Sequence, residues 1–377
     1  MFRQNIRNTF MNNILHGLAK SMLLALIIFG ISFSLMAEDG HHTPDTTKKK
    51  FDAGKMIMEH IADAHEWHIA TIGHTHISLP LPVILIDNGS FHVFMSSKFH
   101  HGLEAYKDFR LMTEGAYKGK IVKIETLADG TESISPDLPL DFSITKNVAA
   151  IFFSVFLMIW IFMSVAGAYK KNAGHAPKGM QSFLEPIIIF VRDDIAKSSI
   201  GEKNYEKYLP YLLTVFFFIF LNNLLGLVPF LPGGANVTGN IAVTLVLALF
   251  TFAITTFSGN KAYWLHIFNA PGVPWWLKLP IPLLPIVELL GIFTKPFVLM
   301  IRLFANMAAG HIIILAFMSL IFIFGNMHEG IGLAVSPISL AFSIFMGLLE
   351  LLVAFLQAFV FTLLSAIYFG LATEEHH

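Results

Sequence analysis

Two apolar stretches are too long to stand upright in a membrane. One runs from Ile281 to Phe324, the other from Pro337 to Ala372. As single helices they would be ~66 Å and ~54 Å long, against a hydrocarbon core ~30 Å thick. Each must break in two or lie steeply tilted. A break needs turn residues mid-run. Pro296 is the one strong candidate in the first stretch, and the second has none inside it. Tilt is therefore expected, with Gly325 to Ser336 as the turn of a long helical hairpin over 281–377.

Composition agrees with a membrane protein. Hydrophobic residues make up 55% of the chain and charged residues only 14%, well above the apolar share of a soluble domain. A net charge of −1 gives no basic field for nucleic acid. With no cysteine, disulfides, iron–sulfur clusters and thiolate zinc sites are excluded.

Residues 1–37 read as a secretory signal peptide: Arg3, Arg7 and Lys20 give a basic start, Met22 to Leu35 an apolar core, and Ala37 a small end. A retained membrane helix is the alternative, but the run falls short of ~20 spanning residues. Residues 38–141 are polar, histidine-rich and, after a signal, extracytoplasmic. Runs near Leu81 to Ile86 and at Val93 and Phe94 suggest strands. Gly119 to Ile134 reads as a hairpin turning at Asp129-Gly130. A small α+β segment is expected. His60, Asp63, His65 and His68 have conceivable metal-ligand spacings, yet no His-Glu-x-x-His occurs. A solvated histidine-rich face is the default, and no metal is expected.

Residues 142–377 read as the membrane domain. A first helix spans about Asn147 to Ala168 and ends at Lys170-Lys171, which marks the cytoplasmic side. Residues 180–200 form an amphipathic helix on that surface. A second helix spans Tyr208 to Val228 and a third Thr238 to Phe257, followed by a loop over 259–280 with Trp264, Trp275 and Trp276 at the interface. With the hairpin this gives an all-α membrane protein of about five membrane helices, its C-terminus cytoplasmic. Asn223, Asn236 and Asn240 cluster at the outer ends of helices two and three. They fit interhelical hydrogen bonding and the wall of an aqueous inlet equally well.

The hairpin carries polar residues that need a reason. An arginine at the centre of a membrane helix costs roughly 2.5–3.5 kcal/mol on insertion scales, and Arg302 cannot escape by losing its proton. At 100° per residue Glu288, Lys295 and Arg302 share one stripe, with Asn306 about 40° away. His311 lies about half a turn round from Arg302. On the second helix Ser343, Glu350 and Gln357 form another stripe, aligned with Tyr368. A polar seam between packed helices is the structural alternative for such stripes. An intramembrane carboxylate such as Glu350 more often lines an ion path.

The wording Lys295-Pro-Phe-Val-Leu-Met-Ile-Arg302-Leu-Phe-Ala-Asn306-Met-Ala-Ala-Gly, together with Leu356-Gln-Ala-Phe359, resembles subunit a of the F-type ATP synthase. The resemblance covers about Asn147 to His377. It implies a non-catalytic stator subunit that conducts protons past a rotating c-ring through two half-channels, driving the rotary motor of ATP synthesis. A sodium-conducting version is the alternative, because the ring's own site mainly chooses the ion. A self-contained secondary transporter would show similar halves, and no motif repeats. Implied partners are the c-ring, the peripheral-stalk subunit b and the lipids of a bacterial inner membrane. No cofactor is implied and no nucleotide-binding loop occurs.

The resemblance also implies roles. Arg302 faces the rotor, lets a ring carboxylate ionise and keeps the half-channels apart. Asn306 and Gln357 belong to the same translocation set. Many bacterial members have Glu at the position of His311 and His at that of Glu350. Here the types are exchanged, as in mitochondrial relatives, so the two are expected in contact on the outer inlet. Glu288 is the cytoplasmic candidate, with pairing to Lys295 as its structural alternative. Members often carry an acid where Gly226 stands. A ring carboxylate 4 Å from Arg302 would be held by ~4 kcal/mol at an effective dielectric of 20, while ~150 mV supplies about 3.5 kcal/mol per charge. Rotation then requires that water reach Arg302.

Overall fold

The computed structural model describes residues 52–72, 75–126, 132–171, 176–228, 233–269 and 283–374. The expected signal peptide, residues 1–37, lies outside them. The chain divides into a strand-rich unit (residues 64–146, with 228–234) and a helical unit (residues 50–63, 147–227 and 235–377). The expected segment 38–141 is thus divided, because helix α1 (Ala53–Ile61) belongs with the membrane helices. Asp52 caps α1 by accepting from the Lys55 amide at 3.0 Å.

In the strand-rich unit β1 (Glu66–Ile72) pairs with β2 (Thr75–Pro80). Strands β3 (Pro82–Asp87) and β4 (Ser90–Met95) form a hairpin around Asn88-Gly89, both at positive φ. Asn-Gly is the pair that a two-residue turn of this hand favours. A separate three-stranded sheet runs β5 (Phe109–Leu111), β6 (Ile121–Thr126) and β7 (Glu132–Ile134). The β6–β7 pairing is the expected hairpin, although its turn residues lie outside the described ones. Strand β8 (Leu140–Asp141) adds to the free edge of β3. Val83, Leu85, Phe99, Phe109 and Ile121 form the core.

Among the described residues, five helices are long and apolar enough to cross a membrane. Helix α2 spans Lys146–Lys171. Helix α3 (Met180–Phe190) continues through a π-helical turn, Val191–Lys197, to Ile200, as the amphipathic pattern predicts. Helices α4 (Tyr205–Leu227) and α5 (Ile241–Ser258) follow. The stretch expected as a loop begins with a helix, α6 (Lys261–Asn269). Asn260 starts it by accepting from the Tyr263 amide at 2.8 Å.

The two long stretches are unbroken. Helix α7 (Leu283–Met327) and helix α8 (Glu329–Thr373) each hold 45 residues, roughly 67 Å of helix. In a ~30 Å core they must tilt. Pro296 and Pro337 sit inside them without ending them, as packed membrane helices allow. The turn is far tighter than Gly325 to Ser336. His328 alone separates the helices, and its ring caps α8 by accepting from the Gly330 amide at 3.1 Å. Glycines that read as turn residues instead let the helices meet. A Cβ on Gly332 would lie 2.7 Å from the Gly325 Cα.

The helical core gathers Leu299, Leu303 and Met307 of α7 and Phe216 of α4. Phe361 and Phe369 of α8 and Val191 and Ile195 of the amphipathic stretch complete it. This fixes which side of α7 faces inward.

Candidate functional site

With Leu299, Leu303 and Met307 buried, Arg302 and Asn306 are left exposed on the flank of α7. Among the described residues Arg302 has no carboxylate or hydrogen-bond partner. Its neighbours on that surface are apolar and open, including Phe297, Val298 and Ile301. One heptad back, the Lys295 ammonium lies 5.4 Å from the centre of the Tyr368 ring on α8. That cation–π contact takes the place of an ion pair with Glu288, which is half-buried on the same helix.

Nine residues on, the environment inverts. His311 enters the seam between α7 and α8, where its Nδ1 lies 2.5 Å from Glu350 Oε1. The side chains are 14% and 3% exposed. Nδ1 also lies 3.1 Å from the Met307 carbonyl oxygen, and Nε2 3.3 Å from that of Gly226 on α4. Each ring nitrogen faces acceptors, so a proton arriving at either has a partner. The approach to Glu350 is close but bent, and neither carboxylate oxygen receives a well-directed hydrogen bond among the described residues. Gly310 makes the meeting possible: a Cβ there would come within 2.9 Å of Glu350 Oε1.

Gln357 is buried one heptad beyond Glu350. On the other side of Glu350, Ser343 and Ser339 are buried with hydroxyls that have no partner among the described residues. The buried hydroxyls of Thr256 and Thr362 are in the same state. Ser319, Ser365, Thr255 and Thr373 all donate to a carbonyl one turn back, the usual local solution. Ser339 was not among the residues singled out by pattern, although it stands one turn before Ser343.

The asparagines separate. Asn223 is satisfied: its amide donates to the Ala354 carbonyl at 3.1 Å and its carbonyl accepts from the Thr238 hydroxyl at 2.6 Å. Asn240 caps α5 by accepting from the Ala242 amide at 2.9 Å. Asn236 accepts from the Gly239 amide, and its buried Nδ2 has no partner among the described residues. Interhelical and capping roles therefore account for two of the three.

Among the described residues no group of three or more metal-ligand side chains converges. His65 is buried rather than solvated, its Nε2 2.9 Å from Asp141 Oδ2. Asp141 also accepts from the Ser143 amide at 2.9 Å. Burial pushes the Asp141 carboxyl up, but the bonds from His65 and Ser143 outweigh it and hold the group below its ordinary value. On the amphipathic stretch the Arg192 guanidinium grips Asp193 with two bonds of 2.8 Å and holds its carboxyl down at about 2.

Comparison with known proteins bears on residues 148–370, which match the family described as ATP synthase A chain. Residues 56–142 match a domain of unknown function. A protein of Chlorobaculum tepidum called ATP synthase subunit a 2 is 50% identical over 62% of this chain and 64% of its own length. ATP synthase subunit a of Chloroherpeton thalassium is 44% identical over 63% of this chain and 69% of its own. ATP synthase subunit a 2 of Prosthecochloris aestuarii is 45% identical over 70% and 82%. The chain thus spans a little under two thirds of the first relative and more of the other two.

Proposed function

Because the chain belongs to the ATP synthase A chain family, we propose that it is the membrane stator subunit of an F-type ATP synthase. It conducts protons to and from a carboxylate on each subunit of a rotor c-ring, in a bacterial inner membrane. Subunit b holds it against rotation. Lys170 and Lys171 at the end of α2 support a cytoplasmic position for that end, and the strand-rich unit is then extracytoplasmic.

One contrast carries this reading. On α7 an exposed cation, without a carboxylate or hydrogen-bond partner among the described residues, stands nine residues from a buried imidazole–carboxylate pair. Arg302 offers a ring carboxylate the opposite charge that lets it ionise while leaving lipid. A fixed cation also repels a proton hopping straight between half-channels. His311 and Glu350 relay protons on the outer side, since an imidazole titrates near neutral pH. Asn306 shares the exposed face of Arg302 and orients the ring carboxylate. Gln357 continues the Glu350 stripe toward the cytoplasm, where Glu288 handles the exit.

The test is ATP synthesis by the reconstituted complex in vesicles under an imposed pH gradient. Arg302→Gln should abolish synthesis while allowing passive proton leak. Near-normal synthesis by that variant would refute the barrier role.

A further inference from the structure

The β4–β3–β8 sheet is apolar on both faces. Its inner face gives Val83 and Leu85 to the core. Register assigns the outer face in three rows: Phe91, Ile86 and Leu140; Val93, Ile84 and Phe142; Met95, Pro82 and Ile144. No polar side chain interrupts these nine. Phe91 is 73% exposed, Val93 64%, Leu140 62% and Phe142 62%. An antiparallel sheet with one face on a core normally turns polar residues to water on the other. A contiguous apolar patch of this kind marks a docking surface.

We infer that this face docks on the bilayer surface, its side chains entering the boundary between headgroups and acyl chains.

Chemistry argues for lipid over a protein. The nine side chains carry no charge and no hydrogen-bonding group, whereas a protein interface carries about one hydrogen bond per 100–200 Å². Lipid asks for none, and interfacial elements bury their apolar side ~5–10 Å into this boundary.

Position argues the same way. Beyond β8 the chain still follows β3, with the Phe142 amide donating to the Ile84 carbonyl and the Ile144 amide to Pro82, both at 2.9 Å. Two residues after Ile144, α2 begins at Lys146. The four residues from Phe142 reach at most ~14 Å. The face is therefore tethered close to the point where the chain enters hydrocarbon. Docking would give the strand-rich unit a fixed stance on the membrane whether or not the rotary reading holds.

The absence of native cysteine allows a direct test. Phe91→Cys, Val93→Cys and, on an exposed polar site, Glu114→Cys are made singly in the full chain. Each is labelled with an environment-sensitive fluorophore within the complex reconstituted in liposomes. Nitroxide carried just below the lipid headgroup should quench positions 91 and 93 at least threefold more than 114. Equal quenching at all three overturns the proposal. So does a blue-shifted but unquenched signal at 91 and 93, which would mean that protein covers the face. Either position alone suffices if the other variant fails to assemble.

Discussion

Of the four histidine–carboxylate pairs among the described residues, two largely bury the histidine, and the surroundings of these two differ more than their chemistry. His65 and Asp141 meet at 2.9 Å in the strand-rich unit, and Asp141 takes a further bond from the Ser143 amide. His311 and Glu350 meet at 2.5 Å in the seam of the helical unit, yet among the described residues neither carboxylate oxygen has a further donor, and the hydroxyls of Ser339 and Ser343 on the same stripe have no partner. A satisfied pair fixes structure. A buried carboxylate short of partners costs free energy, and a fold keeps it when the group has work that satisfaction would prevent. On the proposed reading, the hydrogen bonds around each pair, rather than its residue types, separate a clasp from a relay.

The largest effects should fall on the second pair. Glu350→Gln or His311→Ala should slow proton conduction on the order of a hundredfold, the scale of a positioned acid–base group, while the complex still assembles. Exchanging both residues together should recover about tenfold over either single exchange. Passive proton flux in vesicles measures all four forms. A double exchange no better than the worse single one would show that the residues do not act as a unit. Gly310→Val probes the same contact from the other helix. Its side chain must displace the Glu350 carboxylate, so flux should fall about tenfold on the same scale, with ordinary amounts of assembled complex.

Much of this was legible in sequence, for reasons that can be named. Helix length against bilayer thickness required tilted helices, and 100° spacing put Arg302 and His311 on different sides of α7. Contacts between residues distant in sequence were not legible. Nothing local says that Gly332 meets Gly325, so glycines at the crossing read as a turn. Asn223 looks the same as Asn236 until Ala354 and Thr238 are seen around it. His65 read as one of many solvated histidines because Asp141 lies far along the chain. Asn88-Gly89 is the exception, a local turn signal that was open to reading.

A smaller effect is expected at Ser343. If its free hydroxyl helps carry protons to Glu350, Ser343→Ala should lower flux about two- to threefold, on the low side of acid–base contributions. Ser365→Ala serves as the control, since that hydroxyl is spent on the Phe361 carbonyl, and it should leave flux unchanged. Equal loss in both would place Ser343 with the packing residues.

The smallest effect belongs to the satisfied pair, and pH sets its sign. The bonds from His65 and Ser143 hold the folded-state pKa of Asp141 below the unfolded value, which is ~3.9. A group depressed on folding stabilises fully above its unfolded pKa, and the contribution is lost as pH falls through the folded one. The clasp should therefore hold at neutral pH and release only below about pH 4. Asp141→Asn removes the charge at every pH. For a partly exposed group the cost should be about 1 kcal/mol, which is roughly fivefold faster local opening. Hydrogen exchange of the β3 amides Ile84 to Asp87 in the assembled complex reads this directly. The variant should exchange faster than the parent at pH 7, and the two should converge as pH falls below 4. Proton flux should not change. A variant that conducts poorly while its β3 exchange is unaltered would move His65 and Asp141 from clasp to relay and undo the distinction drawn between the pairs.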